Sequence, residues 1–445
     1  MRQRLLYKNM LVVVAVIFLL VCTSVTANSL NSYTQTQKIS ENIQSIDNII
    51  DPKIMDIIES INESLIKRYL ETIVGYGPRL TGIYGCEKTA RYIYEQFKSM
   101  NLATQYQNWS KLYMKPKLLK PKPRILHGQN VEATLPGKDL TNKNILIFNA
   151  HYDSVASPGA DDDASGTVAV LAAAYALSKF QFNHTIKFIA FSGEEQGLFG
   201  SLAYVREAYE NRDDILCEFN ADMIGYAKAK ESGKKFRMYG TKDVQWIMDD
   251  IEKVNNESNL DFNLIRGIAS EGSLTGSDYA SFIYYGYEAV SFWEGEWDPN
   301  MHSPMDDLEN VNTSYLVNTT RLIAAALAHI ADIDITYPHV RIESPQRGRI
   351  YLDGRRVHQL KNPNTILINN MWIWADVKPG DAPIKKVEFY FDNILQFNDT
   401  EPPYKWDLNK KSVFKHQIKV IAYDEKGRAS DDWMNIFTLN LPTKR

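Results

Sequence analysis

The stretch NILIFNAHYDSVASPGADDDASGTVAVLAAAYALSKF, residues 144–180, decides the fold. It opens on the apolar run Ile145–Phe148, which reads as a buried strand, and from near Ser165 it becomes apolar at helical spacing. Between the two, His151, Asp153, Asp161, Asp162 and Asp163 share one segment that holds no lysine or arginine. Carboxylates crowded in this way repel one another and resist ionising unless a positive charge compensates them. A bound cation is the compensation to look for; a solvated acidic turn is the plain alternative.

The same strand-then-helix grammar repeats downstream. IKFIAF (186–191) precedes the helical GLFGSLAYVREAYE (197–210), and LCEFNAD (216–222) follows. A helical pattern runs from Asp243 to Asn255, YEAVSFW (287–293) is another strand, and a long closing helix starts at Ser314. Apolar, β-branched strands alternating with helices indicate an α/β fold, a largely parallel mixed sheet flanked by helices. Upstream, Pro52–Tyr69 and Glu87–Met100 read as helices around the Gly/Pro-rich loop VGYGPRLTGIYG (74–85). KLYMKPKLLKPKPR (111–124) reads as an exposed connection because of Pro116, Pro121 and Pro123. Near Tyr337 the grammar changes: about seven short strands separated by turn residues predict a small antiparallel, Ig-like β-sandwich. The expected domains are therefore 35–335 and 337–445. The tryptophans and tyrosines of the second are read as core or surface of the sandwich, with a cell-surface or carbohydrate contact as the alternative.

At 445 residues, two domains are the natural division. A formal charge of −4 argues against general nucleic-acid binding. Arg2, Arg4 and Lys8 precede the apolar run Met10–Cys22, and small residues such as Ala27 follow. That layout predicts a signal peptide over 1–27 and a secreted or cell-surface protein, with a retained anchor as the alternative. The run is short of the roughly 20 residues that a membrane span needs. Beyond it only Cys86 and Cys217 remain, at no metal-binding spacing, and the sequence leaves their pairing open. N-x-S/T sequons at Asn62, Asn108, Asn183, Asn256, Asn312, Asn318 and Asn398 are compatible with export.

The acids can now be placed. His151 and Asp153 follow one strand, Glu194 and Glu195 follow the next, Asp222 closes a third, and His302 lies in the loop after a fourth. In open α/β sheets the ligand crevice lies outside the carboxyl ends of the strands, so these segments converge. Histidines and carboxylates without cysteine suit zinc or a similar divalent ion such as cobalt or manganese. Two histidines and three acids give each of two ions two terminal ligands and leave one carboxylate as a bridge. Of the adjacent Glu194 and Glu195, one can ligate while the other accepts a proton from water.

At these residues the chain resembles the M28 family of co-catalytic zinc peptidases, the secreted bacterial aminopeptidase type. The motifs are H-x-D, P-G-A-x-D-D-x-S-G, S-G-E-E-x-G-L-x-G-S, D-M-I-G and H-S-P-x-D, in that order. The resemblance implies two Zn2+ ions per chain, one held by His151 and Asp222, the other by Glu195 and His302, with Asp162 bridging. It implies Glu194 as general base and Asp153 as the residue that fixes the tautomer of His151 through its ring N–H. It further implies peptide substrates with a free amino terminus, trimmed from that end. One departure stands out: the family often has a tyrosine before the last histidine, and here the residue is Met301, so Tyr279 or Tyr226 becomes the candidate hydroxyl. Asp278 is read as structural, and Glu294 and Glu296 as exposed rim acids. The alternatives are a carboxypeptidase, a glutaminyl-cyclase-like enzyme, or a non-catalytic receptor or adhesin on the same fold. No G-x-S-x-G elbow and no H-E-x-x-H is present.

Overall fold

The computed structural model describes residues 51–113, 123–138, 144–155, 157–241, 244–269, 276–334, 337–360 and 364–440. The expected signal peptide lies outside the described residues. Among the described residues, no helix is long and apolar enough to cross a membrane.

The chain begins with α1 (Pro52–Ser60), α2 (Glu63–Val74) and α3 (Tyr84–Ser99). The helix expected over 52–69 is thus two. Asn62 breaks it, because its side chain accepts from the Leu65 N–H and caps α2. Next come β1 (Ala103–Tyr113), β2 (Arg124–Leu135), β3 (Asn144–His151), α4 (Ala164–Leu177), β4 (Thr185–Phe191), α5 (Phe199–Asn211) and β5 (Asp214–Ala221). Then follow β6 (Lys235–Gly240), α6 (Gln245–Glu257), β7 (Asn263–Ile268), α7 (Tyr279–Tyr284), β8 (Ala289–Glu294) and α8 (Thr313–Asp332).

The eight strands form one sheet in the order β1-β2-β4-β3-β5-β8-β6-β7. β4, β3, β5 and β8 are mutually parallel, as their apolar sequences require: both faces of β3 are covered and its last six residues are buried. α4 is buried on all sides but Tyr175, which explains a composition of small and aliphatic residues without a polar face. From β3 the chain crosses to β4 on one side and later to β5 on the other. The order therefore reverses at the carboxyl end of β3, where His151 sits. The segment 111–124 is not wholly a connection: its ends belong to β1 and β2, an antiparallel pair that extends the sheet.

The second region holds β9 (His339–Ser344), β10 (Arg349–Leu352), β11 (Arg355–Gln359), β12 (Thr365–Ile368) and β13 (Met371–Lys378). It continues with β14 (Ile384–Phe391), β15 (Ile394–Asp399), β16 (Lys405–Leu408), β17 (Ser412–Asp424) and β18 (Ala429–Asn440). A seven-stranded sheet, β11-β10-β12-β18-β17-β14-β15, packs on a three-stranded one, β16-β13-β9. The expectation of an antiparallel sandwich needs correcting, because β12 runs parallel to both β10 and β18. The core between the sheets is built on Leu367, Ile373, Phe389 and Val420. This region is also joined to the first. Trp433 is buried among Tyr209, Tyr285 and Tyr287, and Arg347 is paired with Asp432 at 2.9 Å beneath that contact.

Candidate metal centre

His151 ends β3 and is 1% exposed. Its Nε2 lies 3.3 Å from Asp162 Oδ1 and 3.7 Å from Asp222 Oδ1. The other oxygen of Asp162, Oδ2, lies 3.0 Å from His302 Nε2, which is 3.2 Å from Glu195 Oε2. Two donor triads result, His151–Asp162–Asp222 and Asp162–Glu195–His302, each with its ligand atoms within 4.8 Å of one another. Asp162 belongs to both and turns one oxygen to each. The five residues come from four loops at the carboxyl ends of β3, β4, β5 and β8, where the topology opens a crevice. Their hard oxygen and imidazole donors, partly shared, fit a pair of divalent cations.

The electrostatics follow from burial. Glu194 is pushed well above the ordinary glutamate range by burial, with Asp278, Asp222 and Glu195 adding to the shift. Burial likewise pushes Asp153 up to about 6, Asp161 up to about 8 and Asp278 up to about 7. His302 is held protonated by Asp162 and Glu195, its pKa raised to about 10. Burial opposes the cation on His151, yet hydrogen bonds to Asp162 and Asp222 hold its pKa well above the usual value. Burial also opposes ionisation of Asp162, but the two imidazoles hold it below the ordinary range.

The role expected of Asp153 needs correcting in its geometry. His151 Nδ1 donates to the Asp153 carbonyl at 3.0 Å, while the Asp153 carboxylate is 3.8 Å away. The ring is thus oriented by backbone. The carboxylate instead accepts from the Glu194 N–H at 3.3 Å and from Thr81 Oγ1 at 3.2 Å, so it holds the loop that carries Glu194 and Glu195. Glu195 is further fixed by the Val155 N–H, 3.0 Å from Oε1. Glu294 is not a rim acid but 1% exposed, accepting from the N–H groups of Tyr226 and Asp298. Burial and the neighbouring Asp161 push it up to about 12. Glu296 is half-buried rather than exposed and accepts from the Lys228 N–H. Asp278 is fully buried. Met301 lies beside His302, whose backbone takes the left-handed conformation at φ +61. Tyr279 packs its hydroxyl near Gly276, and the backbone N–H of Tyr226 is engaged by Glu294.

Three supports were not singled out from sequence. Arg79, from the loop between α2 and α3, is fully buried and donates to the carbonyls of Tyr152 (2.8 Å), Gly159 (2.7 Å) and Pro158. It supplies the positive charge that the acidic stretch lacks. Gly159 is obligatory beside it: at φ +61, a Cβ would meet Asp162 O at 2.5 Å and Arg79 Nη2 at 2.9 Å. Asp163 caps α4 through the Gly166 N–H (2.8 Å) and also accepts from the N–H groups of His151 and Met223, tying three loops together. Asp306 accepts from the N–H groups of Asp161 (2.7 Å) and Asp162 (3.2 Å). Asp163 stands just before a helix in the sequence, a position where an acid can cap; the reach of Arg79 and Asp306 left no such signal, since both act across long sequence separations.

Beside Asp222 opens a cavity of about 510 Å³ walled by Tyr239, Ile268, Tyr279, Trp293, Trp297 and Arg237. Trp293 follows Phe292, the register partner of Ala221, so it stands opposite Asp222 across the β5–β8 pair. Arg237 donates to the Gly295 carbonyl at 3.2 Å. Clefts of about 630 and 670 Å³ flank the β1–β2 hairpin, and neither they nor the aromatic cavity are lined by a residue of the two triads.

Residues 130–327 match Peptidase family M28. Over this part the chain is similar to the M28 peptidases. Aminopeptidase YwaD of Bacillus subtilis (strain 168) is 32% identical over 212 residues, covering 45% of this chain and 44% of the relative. The chain spans about half the length of the curated relatives it matches. Among solved structures, an aminopeptidase from Aneurinibacillus sp. strain AM-1 superposes with a TM-score of 0.54 at 20% identity, covering 63% of this chain and 96% of that one. A glutaminyl cyclase of Porphyromonas gingivalis does so with 0.50 at 16% identity, covering 60% and 98%. These superpositions show a shared fold.

Proposed function

We propose that this protein is a two-zinc aminopeptidase that removes residues from the amino terminus of peptides. The observation that carries the reading is Asp162, which turns its two oxygens toward two separate donor triads. His151 and Asp222 would hold one ion and Glu195 and His302 the other. Such a pair, when bound, lowers the pKa of water and polarises a carbonyl oxygen. Glu194 accepts the proton of the attacking water at its carboxylate and returns it to the leaving amine. Asp153 keeps the Glu194 loop in place through the Glu194 N–H. Asp222 and Glu194 surround the donor cluster with negative charge that attracts a substrate ammonium. The aromatic cavity next to Asp222 takes the side chain of the first residue, and its size and lining favour large apolar side chains.

The test is mass spectrometry of digests of paired free and N-acetylated peptides, with and without a chelator. Stepwise loss from the free amino end, abolished by the chelator and restored by zinc, is expected. Loss from the carboxyl end, or equal cleavage of acetylated and free peptides, refutes the aminopeptidase reading. Cyclisation of amino-terminal glutamine without chain shortening would favour the cyclase alternative.

A further inference from the structure

We propose that the outer face of the seven-stranded sheet docks on an anionic lipid surface. Register partners on neighbouring strands point to the same side of a sheet. One row across β11, β10, β12, β18 and β17 is His358, Ile350, Ile366, Phe437 and Lys415. The row two positions on is Arg355, Leu352, Ile368, Leu439 and Val413. Between them Tyr351, Leu367 and Thr438 are buried toward the sandwich core, so both rows face outward. Solvated sheet faces alternate to polar residues on the outside; here the outside is apolar. Phe437 is 49% exposed and Leu439 47%. Val413, which closes the second row on β17, is 40% exposed. At ~4.8 Å per strand the five strands span roughly 19 Å, a contiguous face of the kind that marks an interaction site.

The charge around it selects the occupant. Arg355 and His358 lie along one margin and Lys415 at the other, with the exposed Lys410 and Lys411 just before β17. Asp353, in the turn between β10 and β11, is the acid at this margin. Toward the peptidase unit the face turns polar at the pair Gln417–Asn435, and Asn364 already accepts from Tyr284 Oη. The apolar centre therefore ends where the first region begins, and among the described residues its side chains beyond that point are part-exposed or exposed. A second copy fits poorly, because any face-to-face pairing brings cationic margins together. A protein partner would need polar anchors within the centre, and the seven apolar positions of the two rows offer none. A bilayer surface asks for this arrangement: Phe and Leu side chains enter the headgroup boundary, while the long basic side chains reach phosphates at the edges.

The test uses the full chain in a Cys22→Ser background, with an environment-sensitive dye on Phe437→Cys and, as a control on α3, on Glu95→Cys. Cys86 and Cys217 are buried and stay unlabelled. With vesicles of phosphatidylcholine and phosphatidylglycerol, the dye at 437 is expected to shift to the blue while that at 95 does not, and added salt should reverse the shift. Arg355→Glu with Lys415→Glu should weaken this signal about tenfold or more. The proposal is overturned by an unshifted dye at 437 or by equal shifts at both positions. It is also overturned by a vesicle-independent shift that rises with protein concentration, which would report a second copy. The peptidase reading does not enter the readout.

Discussion

Loading the metal-free protein with divalent ions should release protons, and their number follows from the site. Without a metal His302 has a pKa of about 10 and His151 one well above the usual imidazole value, because each is hydrogen-bonded to carboxylates. Both imidazoles must be neutral to ligate. Near neutral pH at least two protons therefore leave, and the carboxyl of Glu194, raised by burial, can add about one more. The sign is fixed by linkage: the free protein binds these protons and the loaded protein does not, so metal affinity falls as pH falls. Each proton is worth about tenfold per pH unit, or roughly 100-fold for the imidazoles together, at pH values below their raised pKa values. For the metal-free fold the sense is opposite. The raised imidazole pKa values stabilise it fully below about 6.5, and the His302 contribution is lost as pH rises through about 10. Titration calorimetry of zinc into metal-free protein, in two buffers of different ionisation heat, counts the protons. His302→Ala should lower the count by about one. A count near zero, or one unchanged in His302→Ala, would show that the imidazoles do not ligate as assigned.

Glu194→Gln should keep fold and ions but lose about 10²- to 10⁴-fold in kcat, since the amide cannot accept the proton, whereas Asp162→Asn should lose bound metal; metal analysis beside turnover separates them, and like behaviour refutes the roles. Cys86, pushed up to about 12 by burial, and Cys217, raised well above the ordinary thiol range by the same cause, should resist iodoacetamide in the native protein and react on unfolding; native labelling of either would contradict their burial. Glu218 is fully buried and its pKa is raised well above normal by burial despite a hydrogen bond from Asn149. Its neutral form contributes stability below about pH 4.3 that is lost as pH rises through the raised pKa, so Glu218→Gln should match the native melting temperature in acid and exceed it increasingly in alkali. Arg79→Met should strip partners from three carbonyls of the His151 loop and lower the melting temperature, with a cost of about 3–5 kcal/mol for a broken buried charge network; an unchanged melt would mean that the loop holds itself.

The sequence was legible where burial is two-sided. β3, β4, β5 and β8 are apolar through their length because helices cover both faces, and that signal does not depend on register. β6 and β7 escaped notice because they are short and mix Lys235, Arg237 and Arg266 with their apolar residues near the sheet edge. β11 and β15 were missed for a related reason: each is an outer strand of the seven-stranded sheet, mostly exposed, and shows no alternation. TILINNMWIWADV reads as one strand, but the turn at Asn369, with φ +65, sends its halves into different sheets.

The candidate ligands were legible for a chemical reason, and their supports were opaque for a geometric one. A ligand must be a histidine or an acid and must follow a strand, so composition and position together single it out. A support need only present an N–H, a carbonyl or a charge at the right place, and many residues can. Asp153 illustrates the difference: its position beside His151 suggested that its carboxylate orients the ring, yet its own carbonyl already does so at 3.0 Å. The carboxylate is thereby free to hold the Glu194 N–H, which couples the loop after β3 to the loop after β4. Arg79 completes that coupling from the loop before α3, and its Tyr152, Pro158 and Gly159 contacts bracket the residues between His151 and Asp162. One buried cation on the backbone thus sets the separation of His151 and Asp162 before any metal binds. If so, Arg79→Met should weaken metal binding even where the fold survives, and calorimetry on that variant at a temperature well below its melt distinguishes a positioning role from a merely stabilising one.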